Sequence, residues 1–172
     1  DMSVYWKRKA EEIYYQEAIF DDKTPMPKEL DVIELVKEEL AQNRRVLVYS
    51  VYSGKKDTTT RLANLLKQEG IKAGVLKSTV KADEREDWVA EQLDNGIQVL
   101  ICNPELVKTG LDLLEFPTIY FMTTGYNVYT LMQAARRSWR IGQTEDVKVY
   151  FGGYFGTAQQ WCYPYSSWNS RK

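Results

Sequence analysis

The sequence predicts an α/β domain, a parallel β-sheet covered by helices on both faces. Three observations carry this. Five short β-rich runs, residues 45–52, 71–78, 97–102, 118–123 and 146–151, alternate with single helical segments. The links between them are short, as in βαβ units, and a parallel pair needs such a crossover. At 172 residues the chain is one domain by default and long enough to bury a proper core.

The elements follow in order. Residues 1–20 mix Tyr, Trp, Lys and Glu and read as a helix or a partly ordered lead-in. Pro25 and Pro27 break the chain, and Pro27 suits the first turn of a helix, where a missing N–H goes unnoticed. Leu30, Ile33, Val36 and Leu40 then recur at helical spacing, and Asn43 marks the stop. "RVLVYSVY" is a buried strand and "SGKKDTTT" a polar loop. Leu62, Leu65 and Leu66 share one helix face, closed by Gly70. "IKAGVLKS" is a second strand, "ADEREDWVAEQLDNG" a helix ending at Asn95-Gly96, and "IQVLIC" a third strand. "TIYFMT" and "DVKVYF" are the fourth and fifth, with a helix over residues 127–140 between them. Ligands of such sheets bind at the carboxyl ends of the strands. The loops after Tyr52, Ser78, Cys102 and Thr123 are therefore where function is expected.

Composition removes whole classes of chemistry. There is no histidine, which excludes His-based acid–base catalysis and most zinc sites. The net charge of −1 argues against a protein that coats nucleic acid generally, so anions must be met by local patches. Cys102 and Cys162 lie far apart without metal-like spacing, which fits a reduced, intracellular protein and no metal site. No apolar run is long enough to span a bilayer, so no membrane partner is expected. The chain opens Asp1-Met2, as expected of a piece of a longer protein.

Local anion binding is concentrated in "QAARRSWRIGQ", residues 133–143. On a helix turning about 100° per residue, Val128, Met132, Ala135 and Trp139 form a narrow apolar stripe that should face the sheet. Gln133, Arg137 and Arg140 fall together on another side, flanked by Arg136. No acidic residue lies between Glu115 and Glu145 to pair with them locally. The arginines suit either a solvated face or a grip on a polyanion, for which their planar forks are well shaped. In "TGLDL", Gly110 suits a tight turn or close backbone approach, and Asp112 suits a helix cap or a ribose hydroxyl. "YSGKKDTTT" fails the phosphate-loop pattern, and no other stretch supplies it. Lys55, Lys56 and Arg61 therefore read as a solvated loop.

"QAARRSWRIGQ" resembles the last motif of Swi/Snf-type ATPases of the superfamily-two helicases: Gln133, Ala134, Arg137, Arg140, Ile141, Gly142 and Gln143 all match. "YNVYTLMQ", "TGLDL", "RVLVYS", "ADERE" and "FGTAQQ" are similar to other segments of that family and occur in its order, over about residues 28–160. Arg136 departs from the usual Gly or acid, and Glu105 stands where an Arg often follows a Ser-Thr pair.

The resemblance implies a three-layer RecA-like second lobe over residues 28–160, a lead-in between lobes over 1–27 and an irregular tail over 161–172. It implies a cleft completed by an N-terminal RecA-like lobe, which supplies the phosphate loop and holds ATP and Mg2+. This chain alone would then bind neither tightly. Arg140 and Arg137 would be the arginine fingers, with Gly110, Asp112 and Gln133 near the nucleotide. Lys77, Ser78, Thr79, Asn103 and Lys108 would touch a nucleic-acid backbone, DNA in preference to RNA. The alternatives are a non-catalytic nucleic-acid-binding or protein-interaction module of the same fold, and a nucleotide-sugar-binding half of a glycosyltransferase.

Overall fold

The structure is a computed structural model. It describes residues 4–8, 12–16, 24–51, 57–107, 111–122, 128–138 and 141–153. The elements are β1 (Val4–Arg8), β2 (Glu12–Gln16), α1 (Pro27–Ala41), β3 (Val46–Tyr49), α2 (Thr58–Gln68), β4 (Ala73–Leu76), α3 (Arg85–Asp94), β5 (Val99–Cys102), β6 (Thr118–Phe121), α4 (Val128–Ala135) and β7 (Lys148–Phe151). All five strands expected of the main sheet form. They pair in parallel in the order β4-β5-β3-β6-β7.

The sheet's position in the molecule explains its composition. The three central strands are buried at every residue, "VLVY", "VLIC" and "TIYF". Apart from Thr118, which opens β6, they are apolar throughout because both faces are covered. The edge strands β4 and β7 instead alternate between more and less buried positions. On one face Val46, Val48, Val99, Ile101 and Tyr120 meet Val32, Ile33 and Val36 of α1 and Leu62 and Leu66 of α2. On the other face Leu47, Tyr49, Leu100, Cys102, Ile119 and Phe121 meet Val89 of α3 and Ala134 of α4. The result is three layers, helices on sheet on helices.

Two expectations need correction. Val4–Arg8 and Glu12–Gln16 form an antiparallel strand pair, with Val4 opposite Gln16 and Arg8 opposite Glu12, where a helix or a partly ordered lead-in was expected. "VYWKR" and "EIYYQ" are rich in β-branched and aromatic residues, which favour pleated backbone over helix. The buried line of α1 is also rotated from the expected one. Leu30 is 53% exposed, whereas Glu29 and Glu39 are buried with Val32, Ile33 and Val36.

A stripe counted on apolar residues alone misses buried carboxylates that have partners. Glu29 accepts from Arg61 Nε at 2.6 Å and from the Met26 N–H at 2.7 Å. Glu39 accepts from Lys148 Nζ at 2.7 Å, Arg44 Nε at 2.8 Å and the Thr118 hydroxyl at 2.5 Å. The Glu39 cluster ties α1 to the amino ends of β6 and β7.

Burial alone would raise the Glu39 carboxyl. The hydrogen bonds from Lys148, Thr118 and Arg44 outweigh it and hold the group below its ordinary range. A carboxylate depressed in the folded state stabilises the fold above its unfolded value, and that stability is lost as pH falls through the folded value. In thermal melts from about pH 7 to about pH 3, Glu39→Gln is therefore expected to lower stability at neutral pH and to flatten the acid limb. An acid limb as steep as the wild type's would remove Glu39 from this role.

Candidate functional site

Of the predicted site residues, Lys77, Ser78, Thr79 and Asn103 follow the carboxyl ends of β4 and β5. The end of the arginine motif instead lies toward the other edge, Gln143 and Leu114 sharing a cavity with Arg44, Gln98 and Pro117, which precede β3, β5 and β6. Across β3, β6 and β7 the register sets Tyr49, Phe121 and Phe151 side by side. Their rings stack at 5.0 and 5.1 Å between centroids. From this ladder the Tyr49 hydroxyl donates to the Ala134 carbonyl at 3.2 Å, fixing the end of α4 to the centre of the sheet. Burial, with Cys102 beside it, pushes the Tyr49 phenol well up, so it stays a donor at ordinary pH. The buried Cys102 thiol is pushed up likewise and is no nucleophile.

The helix expected over 127–140 ends at Ala135. The Arg136 N–H still reaches back four residues to Met132, but those of Arg137 and Ser138 reach only three, to Ala134 and Ala135. The next carbonyls are captured from outside the helix. Arg137 O accepts from the Leu113 N–H at 3.2 Å, and Ser138 O accepts from Gln143 Nε2 at 3.0 Å. That competition explains why helical periodicity overran the end. It also revises the apolar stripe: Met132 is 40% exposed, and Ala134 is the buried residue, with Ala135 packed beside the core. The side chain of Val128 and all of Trp139 lie outside the described residues.

Arg137 is half-buried in this turn, Arg136 is exposed, and Gln133 is half-buried one turn earlier on α4. The Leu113–Arg137 bond brings the loop carrying exposed Asp112 alongside the arginine turn. Arg140, Gly110 and Lys108 lie outside the described residues. Ser138 Oγ is fully buried and has no hydrogen-bond partner among the described residues.

The described nucleic-acid candidates follow the carboxyl ends of β4 and β5. Lys77, Ser78 and Thr79 are exposed in the turn leaving β4. Lys77 Nζ lies 3.4 Å from Asp57 Oδ2. Asp57 caps α2: it accepts from the Thr60 N–H at 3.0 Å and from the hydroxyls of Thr59 at 2.5 Å and Thr60 at 2.6 Å. Burial would raise this carboxyl, but the threonine hydrogen bonds and Lys77 hold it well below the usual range. Asp57→Ala is expected to cost ~0.5–2 kcal/mol, as for other lost N-caps, with Asn tolerated because it caps equally well. Equal denaturation midpoints for Ala and wild type would contradict this.

Asn103, half-buried at the end of β5, has both ends of its amide engaged. Nδ2 donates to Val51 O at 3.2 Å, and Oδ1 accepts from the Glu105 N–H at 2.9 Å. Two contributors escaped the motif reading. Arg85 donates to Val80 O at 3.2 Å and Leu106 O at 2.8 Å, stitching the Lys77–Thr79 turn to the segment that follows Asn103. Its only sequence signal was its place in "ADERE". Gln143 was matched to the motif without a role, yet it binds two carbonyls. Arg61, read from the sequence as part of a solvated loop, instead lies half-buried on α2 and pairs with buried Glu29, while Lys55 and Lys56 lie outside the described residues.

Among the described residues no cluster of acidic, cysteine or histidine side chains could hold a metal ion, and no helix is long and apolar enough to cross a membrane.

Comparison with known proteins places this geometry. A family model described as "Helicase conserved C-terminal domain" matches residues 28–142. The chain is 31% identical over 115 residues to the chromatin-remodeling ATPase INO80 of Mus musculus, covering 64% of this chain and 7% of that protein. It is 25% identical over 130 residues to the ATP-dependent RNA helicase DBP3 of Gibberella zeae, covering 74% and 22%. It thus spans a small part of these relatives' length. Among solved structures, the C-terminal part of the Fun30 ATPase domain superposes with a TM-score of 0.70 at 18% identity, over 84% of this chain and 46% of that one. The Pyrococcus furiosus Hef helicase domain superposes with a TM-score of 0.56 at 21% identity, over 80% and 27%. The parallel sheet with helices on both faces is the RecA-like fold of a helicase second lobe, and the chain belongs to the helicase conserved C-terminal domain family.

Proposed function

We propose that this chain is the second RecA-like lobe of an ATP-dependent nucleic-acid translocase or helicase. It presents arginines to a triphosphate bound by a first lobe. The supporting observation is the Leu113–Arg137 hydrogen bond, which sets the Asp112 loop against the arginine turn. The chain carries half a nucleotide site: cations and a ribose-side acid, without a phosphate loop or a metal-holding cluster among the described residues.

In this reading ATP and Mg2+ arrive held by the first lobe. Arg137 and Arg140 neutralise charge developing on the γ-phosphate. Gln133 orients the arginine segment, Gly110 allows close backbone approach, and Asp112 accepts from the ribose. Lys77, Ser78, Thr79, Asn103 and Lys108 line the nucleic-acid track. Residues 28–160 form the lobe, with 1–27 leading in from its partner. The chromatin-remodeling names among the relatives favour DNA and an intracellular, nuclear setting.

Binding by this lobe rests on a few phosphate contacts, so it should be weak and strongly salt-dependent. In fluorescence anisotropy titrations against duplex DNA, Lys77→Ala is expected to weaken binding across all sequences alike and to reduce the salt slope by about one. Tight binding that survives high salt, or a Lys77→Ala chain with an unchanged slope, would refute the assignment of this face.

A further inference from the structure

The end of the arginine motif is built as a clamp. Gln143 Nε2 donates to Leu114 O at 2.9 Å and to Ser138 O at 3.0 Å, while its Oε1 accepts from the Glu145 N–H at 3.0 Å. Gly142 precedes it at φ 106°, a conformation L side chains rarely adopt. A Cβ added there would lie 3.6 Å from Leu114 Cδ1. Together with the Leu113–Arg137 bond, these contacts join the 111–115 loop to the arginine segment at two points. A primary amide suits this place because it offers two N–H donors and an acceptor from one planar group. Neither a carboxylate nor an ammonium can do the same.

We propose that Gln143 is the positioning residue of the arginine segment. By tying Ser138 O to Leu114 O it fixes the turn that presents Arg137, and in sequence it closes the stretch that carries Arg140. The proposal rests on reading those arginines as nucleotide-facing. It assigns Gln143 to geometry rather than to contact with ATP, so its loss should lower turnover more than nucleotide affinity.

Gln143→Glu keeps the size and the acceptor for Glu145 but sets a carboxylate against two carbonyl oxygens. In the two-lobed protein, kcat for nucleic-acid-stimulated ATP hydrolysis is expected to fall ~10–100-fold, the scale of a small misplacement of catalytic groups. KM for ATP and nucleic-acid affinity should stay within about threefold. As pH falls toward the carboxyl range, about 4–5, the ratio of variant to wild-type kcat should rise, because a protonated carboxyl regains one donor. Circular dichroism at the assay temperature supplies the folded fraction, and kcat is expressed per folded molecule. Arg140→Ala is run in parallel. Full loss in Arg140→Ala with wild-type kcat per folded Gln143→Glu molecule overturns the positioning role alone. Little effect from Arg140→Ala overturns the nucleotide-facing reading beneath it.

Discussion

Arg140→Ala, in the protein that carries both lobes, is expected to lower nucleic-acid-stimulated ATP turnover by ~10³–10⁵-fold, the usual worth of an arginine finger. That corresponds to about 4–7 kcal/mol of barrier. A surface arginine in an exposed ion pair contributes only ~0–1 kcal/mol to stability, so the two readings differ by orders of magnitude in rate. Arg140 follows Ser138 by two residues, and the Ser138 carbonyl is held by Gln143. Folding and nucleic-acid binding should be nearly unchanged. Arg140→Lys should rescue little, since an ammonium cannot copy the bidentate fork. Arg136→Ala, at an exposed position, should cost far less. Steady-state phosphate release checks all three, and turnover above about a tenth of wild type in Arg140→Ala would return the stretch to a solvated face.

Phe121→Ala is expected to be the most damaging substitution for stability, at ~3–5 kcal/mol, a large share of the ~5–15 kcal/mol typical of a domain. Phe121 is fully buried and stacks on both Tyr49 and Phe151, so truncation opens a cavity within the ladder that carries the arginine helix. Tyr49→Phe removes only the hydrogen bond to Ala134 O and should cost ~0.5–1.5 kcal/mol. Urea denaturation of the two variants separates cavity from hydrogen bond. Similar midpoints for both would mean that the ladder adds little beyond the hydroxyl.

Much of the main sheet was legible because buried parallel strands write themselves as short, mostly apolar runs. "VLVY", "VLIC" and "TIYF" could be little else between helical segments and turns. Helix stops were legible where backbone needed positive φ: Asn43 at 59°, Gly70 at 76° and Gly96 at 75°. What escaped was decided by partners distant in sequence. Glu29 and Glu39 turn inward because Arg61, Thr118 and Lys148 meet them there, and no local periodicity contains that information. The end of α4 was overrun for the same reason, since Leu113 and Gln143 take the Arg137 and Ser138 carbonyls that a longer helix would use. Strand order had no signature in the pattern of elements. At the site, position after a strand pointed to the loop beyond Ser78, and the family resemblance alone named Lys77, Ser78 and Thr79. The roles of Arg85 and Gln143 were hidden because carbonyl acceptors leave no mark on side-chain sequence.

If this chain supplies half of an ATPase, turnover requires a partner lobe. The most direct measurement is phosphate release from ATP, with nucleic acid present, by the purified 172-residue chain alone and after mixing with a separately produced first lobe. The chain alone is expected to show no turnover. Mixing should produce nucleic-acid-dependent turnover that the Arg140→Ala chain does not support. Robust hydrolysis by the chain alone, following it through every purification step, would contradict its role as a second lobe.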